Sequence, residues 1–141
     1  VGSQLELIIR AMYSNPPAHP AMLVEIVLGS PELRQLWQTE MTSMADAIAT
    51  RRQMLHAELV KNKTPSNAQN GRCDHVVDQI GMFSYTGLTE EQCWNMEREH
   101  HIYMLKNGRI SMAGVCASNV RHVARAIHHS MTGAMPANTK N

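Results

Sequence analysis

The chain has 141 residues, of which 43% are hydrophobic and only 4% aromatic, and 13 Lys+Arg against 12 Asp+Glu leave a formal net charge of +1. That length suits one ordinary domain, or parts of two, and can bury a sizeable core built from Met, Leu, Ile and Val. The near-balanced charge argues against nucleic acid as a partner, and no apolar run approaches the roughly 20 residues that cross a bilayer, so no membrane partner is expected.

Apolar residues at Leu5, Leu7, Ile8, Ile9 and Met12 predict the last turns of a helix over residues 1–12, with Ser3 as its cap. Pro16, Pro17 and Pro20 then stop it in a stiff loop, because proline cannot continue a helix and pushes the preceding residue towards extended geometry. A short, largely buried helix is expected over residues 21–28, ended by Gly29. Ser30-Pro31-Glu32 is a strong helix start, with a hydroxyl at the cap, proline at the first position and a carboxylate in the first turn. The stripe Leu33, Leu36, Trp37, Met41, Met44, Ile48, Leu55, Leu59 predicts one helix of about 29 residues, long enough to join two domains.

Residues 61–72 are polar, contain Pro and Gly, and read as an exposed loop. An approach segment from His75 leads to a strand over residues 82–85. Thr89-Glu90-Glu91-Gln92 is a capping box flanked by Leu88 and Cys93 as a hydrophobic staple, and its helix should run to about His100. Asn107-Gly108 predicts a hairpin between strands at 102–105 and 110–112. The last helix should be capped by Ser118 and stopped by Gly133. Val120, Val123, Ala124, Ile127 and Met131 would form its apolar face, with Arg121, His122, Arg125, His128 and His129 opposite; residues 134–141 form a polar tail. A helical first part is thus followed by a small α+β part of strand, helix, hairpin and helix.

Cys73, Cys93 and Cys116 contain no CxxC pair, which favours free thiols and a reducing compartment over a disulfide framework. The chain begins Val1-Gly2 without an initiator Met or signal-peptide pattern and reads as a piece of something longer. Adjacent histidines at 100–101 and 128–129 point about 100° apart on a helix and cannot chelate together. Cys73 and His75 lack further ligands at zinc spacing, so no metal site is expected. No Gly-rich phosphate loop or GxSxG elbow occurs. The charge that stands out is Arg109, at the junction of the Asn-Gly turn and an apolar strand. It is either a structural hairpin-edge residue, solvated or in a surface ion pair, or a planar fork that holds a carboxylate through two parallel hydrogen bonds. Arg10, leading into the proline loop, is the second candidate; its alternative is pairing with the dipole of its own helix end.

Three motifs carry a family resemblance. Ile9-Arg10-Ala11-Met12-Tyr13-Ser14-Asn15-Pro16-Pro17-Ala18-His19, Asp78-Gln79-Ile80-Gly81-Met82-Phe83-Ser84-Tyr85-Thr86-Gly87-Leu88 and Gly108-Arg109-Ile110-Ser111-Met112-Ala113-Gly114 resemble, in order, the C-terminal third of the aspartate aminotransferases of the eukaryotic-type branch. The resemblance reaches to about Met131 and implies the C-terminal part of the α/β aminotransferase fold. Residues 1–43 would end the large cofactor-binding domain, 44–132 would form the small domain, and 133–141 would be a tail. It implies a homodimer using pyridoxal phosphate to exchange an amino group between aspartate and 2-oxoglutarate. Arg109 falls on the arginine for the α-carboxylate and Arg10 on the arginine that binds the distal carboxylate in the neighbouring active site. Phe83 falls on the aromatic beside the substrate, and Ser14 and Asn15 on the dimer-interface loop. Lys61, Lys63, Lys106 and Lys140 stand in no Schiff-base motif, so the catalytic lysine is absent and the isolated chain is expected to be inactive. Pro20 replaces a usual glycine, and residues 62–72 and the tail look longer than the family's. A broad-specificity or aromatic aminotransferase, and a truncated docking module without catalysis, are the alternatives. A cytoplasmic parent is expected, with a mitochondrial one as alternative.

Overall fold

A computed structural model describes residues 1–14, 17–66 and 73–134. The predicted Asn15 and most of the polar tail lie outside them. The chain divides into two compact units, Val1–Thr42 and Ser43–Asn141. One helix, α3 (Pro31–Lys61, 31 residues), contributes to both, matching the length its apolar stripe predicts.

In the first unit, α1 runs Gly2–Tyr13 and α2 runs Ala18–Gly29. Ser3 is inside α1 rather than its cap; Val1 occupies that place, its carbonyl accepting from the amides of Gln4 and Leu5. Helix α2 begins three residues earlier than expected and contains Pro20. The first helical turn has no intrahelical use for its N–H groups, so a proline there removes no bond. Nor is α2 buried: Met22, Leu23, Val24 and Ile26 are each more than half exposed. Ser30 starts α3 as predicted, its hydroxyl accepting from the Leu33 amide at 3.4 Å.

The second unit holds the core, in which Leu55, Leu59, Val76, Leu88, Cys93, Met96, Met112 and Ile127 are all buried. Helix α3 ends with Lys63 at φ 53°, while the Lys63 and Thr64 amides donate to the carbonyls of Val60 and Leu59. That left-handed cap turns the chain inward and buries Thr64, where an exposed loop was expected. A four-residue helix α4 (His75–Asp78) precedes strand β1 (Phe83–Tyr85). The predicted capping box forms in full: Gln92 N donates to Thr89 Oγ1, Thr89 N donates to Gln92 Oε1, and α5 runs Glu90–His100.

The hairpin differs from expectation. Strand β2 (Arg109–Ser111) pairs antiparallel with β1, not with residues 102–105, which are not a strand. The Asn107-Gly108 turn is present, with Gly108 N donating to Leu105 O, but beyond it only one long bond (Leu105 N to Arg109 O, 3.4 Å) joins the two arms. Thr86 wins the competition: its amide and hydroxyl both donate to Gly108 O, at 2.9 and 2.8 Å, and draw the turn onto the end of β1.

Helix α6 (Val120–Thr132) lays its apolar face into the core and ends at Gly133 with φ 68°. Asn119, not Ser118, stands at its cap, and its amide side chain accepts from Cys116 N and donates to Gly114 O. Ser118 is spent on Cys116, hydroxyl to thiol at 3.0 Å. His128 was expected on the polar face but is buried, 3.3 Å from the Thr64 hydroxyl. Thr64, turned inward after α3, sits against the His128 ring.

Candidate functional site

The β1–β2 register assembles the site. Tyr85 lies opposite Arg109 and Phe83 opposite Ser111, while the alternate residue Ser84 is buried. Phe83 and Tyr85 therefore share the outer face with Arg109, and Phe83 is its diagonal neighbour. The Arg109 guanidinium carbon sits 3.7 Å from the Phe83 ring centroid. Stacking occupies one face of the planar cation and leaves its edge, where the N–H donors point, free for a planar acceptor. Among the described residues no carboxylate comes within ion-pair distance of Arg109. The guanidinium borders an open groove of about 680 Å³ that also touches Phe83, Tyr103, Leu105, Ser111 and His122. A cation backed by a ring, bordering a groove and, among the described residues, without a carboxylate partner has the chemistry to take up an anion.

Two sets of contacts hold this cation in place. On the β2 side, Asn107 Oδ1 accepts from Arg109 N at 3.1 Å, and Gly108 takes φ 83°, which favours glycine. A Cβ at Gly108 would come within 2.9 Å of Leu88 O. Lys106 pairs with Glu97 and lies 3.7 Å over the Trp94 ring, tying the turn to α5. On the β1 side, Gln79 works as a one-residue strand. Its Oε1 accepts from Tyr85 N and from Ser84 Oγ, both at 2.8 Å, and its Nε2 donates to Tyr85 O at 3.3 Å.

Arg52 reaches β1 from α3. It is only 4% exposed and donates to the carbonyls of Val76 (2.7 Å), Gly81 (2.8 Å) and Phe83 (2.6 Å). Burial pulls its pKa down from the usual arginine range. Neither Arg52 nor Gln79 stood out in the sequence. A signal for Arg52 existed: it occupies the stripe position between Ile48 and Leu55, four residues after one and three before the other, where an apolar residue is the rule.

Arg10 belongs to the other unit. It lies exposed in the last turn of α1, and its carbonyl accepts from Ser14 N at 3.2 Å. Ser14 has φ 59°, a left-handed value uncommon for serine, so the chain leaves α1 through a constrained turn. Asn15 is outside the described residues. Arg109 and Phe83 are thus brought together, while Arg10 and Ser14 form a separate local arrangement.

Other reactive groups fit no second centre. Burial pushes the Cys73 and Cys93 thiols up, whereas the exposed Cys116 is held down first by the Ser118 hydroxyl and then by amides of Asn119 and Ser118. All three cysteines are free. Among the described residues no group of three or more His, Cys, Asp and Glu could hold a metal. Among the described residues no lysine lines the groove beside Arg109, and the Lys61 and Lys106 amines are paired with Glu58 and Glu97. The described residues therefore do not fit a cofactor held as a Schiff base, although they do fit a carboxylate. No described helix is long and apolar enough to cross a membrane.

The sequence matches the family "Aminotransferase class I and II" over residues 1–127. It is 50% identical to the mitochondrial aspartate aminotransferase of Arabidopsis thaliana across 91% of this chain and 29% of that protein. The cytoplasmic aspartate aminotransferase of Giardia lamblia superposes with a TM-score of 0.84 at 37% identity, covering 93% of this chain and 31% of that one. An aromatic-amino-acid aminotransferase from Burkholderia pseudomallei, described as covalently bound to pyridoxal phosphate, gives 0.77 at 39% identity, covering 92% and 31%. The chain thus spans about three tenths of the length of these relatives. With the family matched over nine-tenths of its residues, in both units and across the Phe83–Arg109 pair, the chain belongs to the class I and II aminotransferases.

Proposed function

We propose that this chain is the substrate-carboxylate-binding part of an aspartate aminotransferase. The complete enzyme would be a homodimer that moves the amino group between L-aspartate and 2-oxoglutarate. The observation that carries this reading is the Arg109 guanidinium, stacked on Phe83 and without an internal carboxylate. Arg109 would hold the α-carboxylate through paired, charge-assisted hydrogen bonds, with Phe83 fixing the plane of the fork. Arg10, exposed at the end of α1, would bind the distal carboxylate in the partner subunit's active site. Ser14 and Asn15 would carry the loop that presents it. Two fixed cations select a dicarboxylate because an uncharged substrate side chain leaves one guanidinium desolvated and unpaired.

Pyridoxal phosphate would be the cofactor of the complete enzyme, supplying the electron sink for carbanion chemistry. Its holding residues, the Schiff-base lysine included, would come from outside this chain. On the same reading, residues 1–43 end the large cofactor-binding domain, 44–132 form the small domain, and 133–141 are a tail. A cytoplasmic location suits the free cysteines.

The test uses the complete holoenzyme. Arg109→Gln should lower kcat/KM for aspartate and for an aromatic amino acid alike, by about 10²–10⁴-fold, the cost of leaving a buried carboxylate unpaired. Arg10→Gln should cost a similar factor for aspartate and under about tenfold for the aromatic substrate. Equal losses on both substrates in the Arg10 variant would refute the two-ended clamp. The likeness to an aromatic-amino-acid aminotransferase supports a second reading, a broad-specificity enzyme, for which the two substrates would have comparable kcat/KM before any substitution. The 141-residue chain with added pyridoxal phosphate should show no turnover, and measurable turnover would overturn the division of labour.

A further inference from the structure

We infer that Arg52 is a positioning residue for the carboxylate grip: by holding the carbonyls of Gly81 and Phe83 it seats the ring on which Arg109 stacks. This rests on the reading of Arg109 as the carboxylate ligand. Arg52 is buried in the core of the second unit, yet among the described residues no Asp or Glu pairs with it. A desolvated cation without a counter-ion is costly unless its donors are satisfied. Its hydrogen bonds go to three backbone carbonyls, all within the segment from Val76 to Phe83.

Val76 at one end of that segment is buried in the core, and Phe83 at the other pairs with Ser111; the stretch between them is the exposed part. Ile80 is 93% exposed and Met82 50%, so the bend at Gly81 (φ 87°) gains almost nothing from apolar burial. Polar contacts set its path. Gln79 holds the far end of β1 through Tyr85, and Met112 N donates to Met82 O at 2.8 Å. The carbonyl of Phe83 itself is taken by Arg52. The planar fork donates along these fixed directions, which the point charge of an ammonium would do less specifically.

The consequence runs through three residues. Arg52 fixes the backbone of Phe83, the ring backs the guanidinium at 3.7 Å, and the guanidinium faces the groove. Loosening the first contact leaves Arg109 present and charged but poorly aimed. Binding of carboxylates should suffer more than the later chemical steps.

The holoenzyme containing this chain is compared as wild type, Arg52→Met, Arg52→Lys, Phe83→Leu, Arg52→Met with Phe83→Leu, and the core variant Leu55→Ala. Leu55 lies one turn further along α3, 1% exposed, and does not line the groove beside Arg109. Arg52→Met should raise KM for aspartate and 2-oxoglutarate, and the inhibition constant of succinate, by about tenfold or more with kcat within about threefold. Leu55→Ala should lower Tm comparably and leave KM within about twofold. On the Phe83→Leu background, Arg52→Met should add less than about threefold, because it acts through the ring that is already gone. Should Arg52→Met not fold, Arg52→Lys decides, with an expected KM rise of about three- to tenfold.

Equal KM changes in the Arg52 and Leu55 variants, full multiplication on the Phe83→Leu background, or an unchanged KM in Arg52→Lys would each overturn the inference. Arg109→Gln run alongside separates the two levels. If it too leaves KM unchanged, the carboxylate reading beneath has failed; if it alone raises KM, only the positioning role has.

Discussion

The two units spend similar apolar material in opposite ways. In Val1–Thr42, helices α1 and α2 have no buried residue, and Leu7, Met12, Met22 and Ile26 are all more than half exposed. Among the described residues of Ser43–Asn141, fourteen hydrophobic residues are buried in one cluster drawn from α3, α4, α5, α6 and the segments between. Helix α3 shows both behaviours along one apolar stripe: Leu36 and Met44 are 55% and 56% exposed, whereas Leu55 and Leu59 are 1% and 2%. Periodicity decides which side of a helix is apolar; it does not decide whether anything covers that side. Stability and the site should therefore depend on the second unit.

The sharpest way to break this contrast is to separate the halves. A peptide of residues 1–42 should lose most of its helicity by circular dichroism, since isolated helices shorter than about 12–15 residues are marginal in water, and α1 and α2 have 12 each. Residues 43–141 should unfold cooperatively with a Tm close to that of the whole chain. A cooperative transition in the short peptide would mean the first unit has a core of its own. Within the whole chain the contrast becomes a pair of substitutions on one helix. Leu59→Ala should cost about 2–5 kcal/mol by urea unfolding, and Leu36→Ala under about 1 kcal/mol. Similar values would show the stripe to be uniformly covered in solution.

What was legible from the sequence follows the range of the forces involved. Ser30-Pro31, the Thr89–Gln92 box and Gly133 are settled by groups within a few residues of each other, and each appears where expected. The partner of β2 was not legible, because Thr86 takes Gly108 O from a distance of 22 residues and outweighs a good local hairpin signal. Burial of α2 failed for a related reason: an apolar run says nothing about its neighbour. Phe83 and Arg109 could be named from their motifs, but their 3.7 Å contact follows from a strand register that no motif contains. Arg52 could have been suspected as a charge in an apolar stripe; its three carbonyls come from 24 to 31 residues away.

The glycines sharpen the same comparison on a smaller scale. Gly108 needs φ 83° and has Leu88 O where a Cβ would stand, so Gly108→Ala should destabilise by about 1–3 kcal/mol and disturb Arg109's turn. Gly29, closing α2, has nothing within 4 Å of a built Cβ and no positive φ. Gly29→Ala should be neutral or stabilise by about 0.5 kcal/mol, chiefly by restricting the unfolded chain. Thermal melts of the two variants measure both, and a loss at Gly29 as large as at Gly108 would place an unseen constraint on α2.

The smallest effect separates the units by pH. In the second unit, burial first, and then the neighbouring His129 and His122, pull His100 below its ordinary value near 6.5; burial first, and then His129, do the same to His128, while Glu99 partly offsets the shift at His100. His100 Nε2 and His129 Nδ1 are 2.9 Å apart, a bond that needs one ring to donate and the other to accept. Protonating both rings would break it. The sign follows from linkage: below about pH 7 the unfolded chain takes up protons at these positions that the folded unit resists. Stability is thus fully present above the unfolded value, declines as pH falls through the window beneath it, and levels once the depressed folded values are passed. The urea midpoint of residues 43–141 should drop between pH 7.5 and 5.5, above the range where ordinary carboxylates titrate. His100→Asn combined with His128→Asn should flatten that slope, although it lowers the midpoint at pH 7.5 by removing the contacts to His129 and Thr64. A midpoint that rises on acidification, or a slope the double variant leaves intact, would show that these imidazoles are not what ties the stability of the second unit to pH.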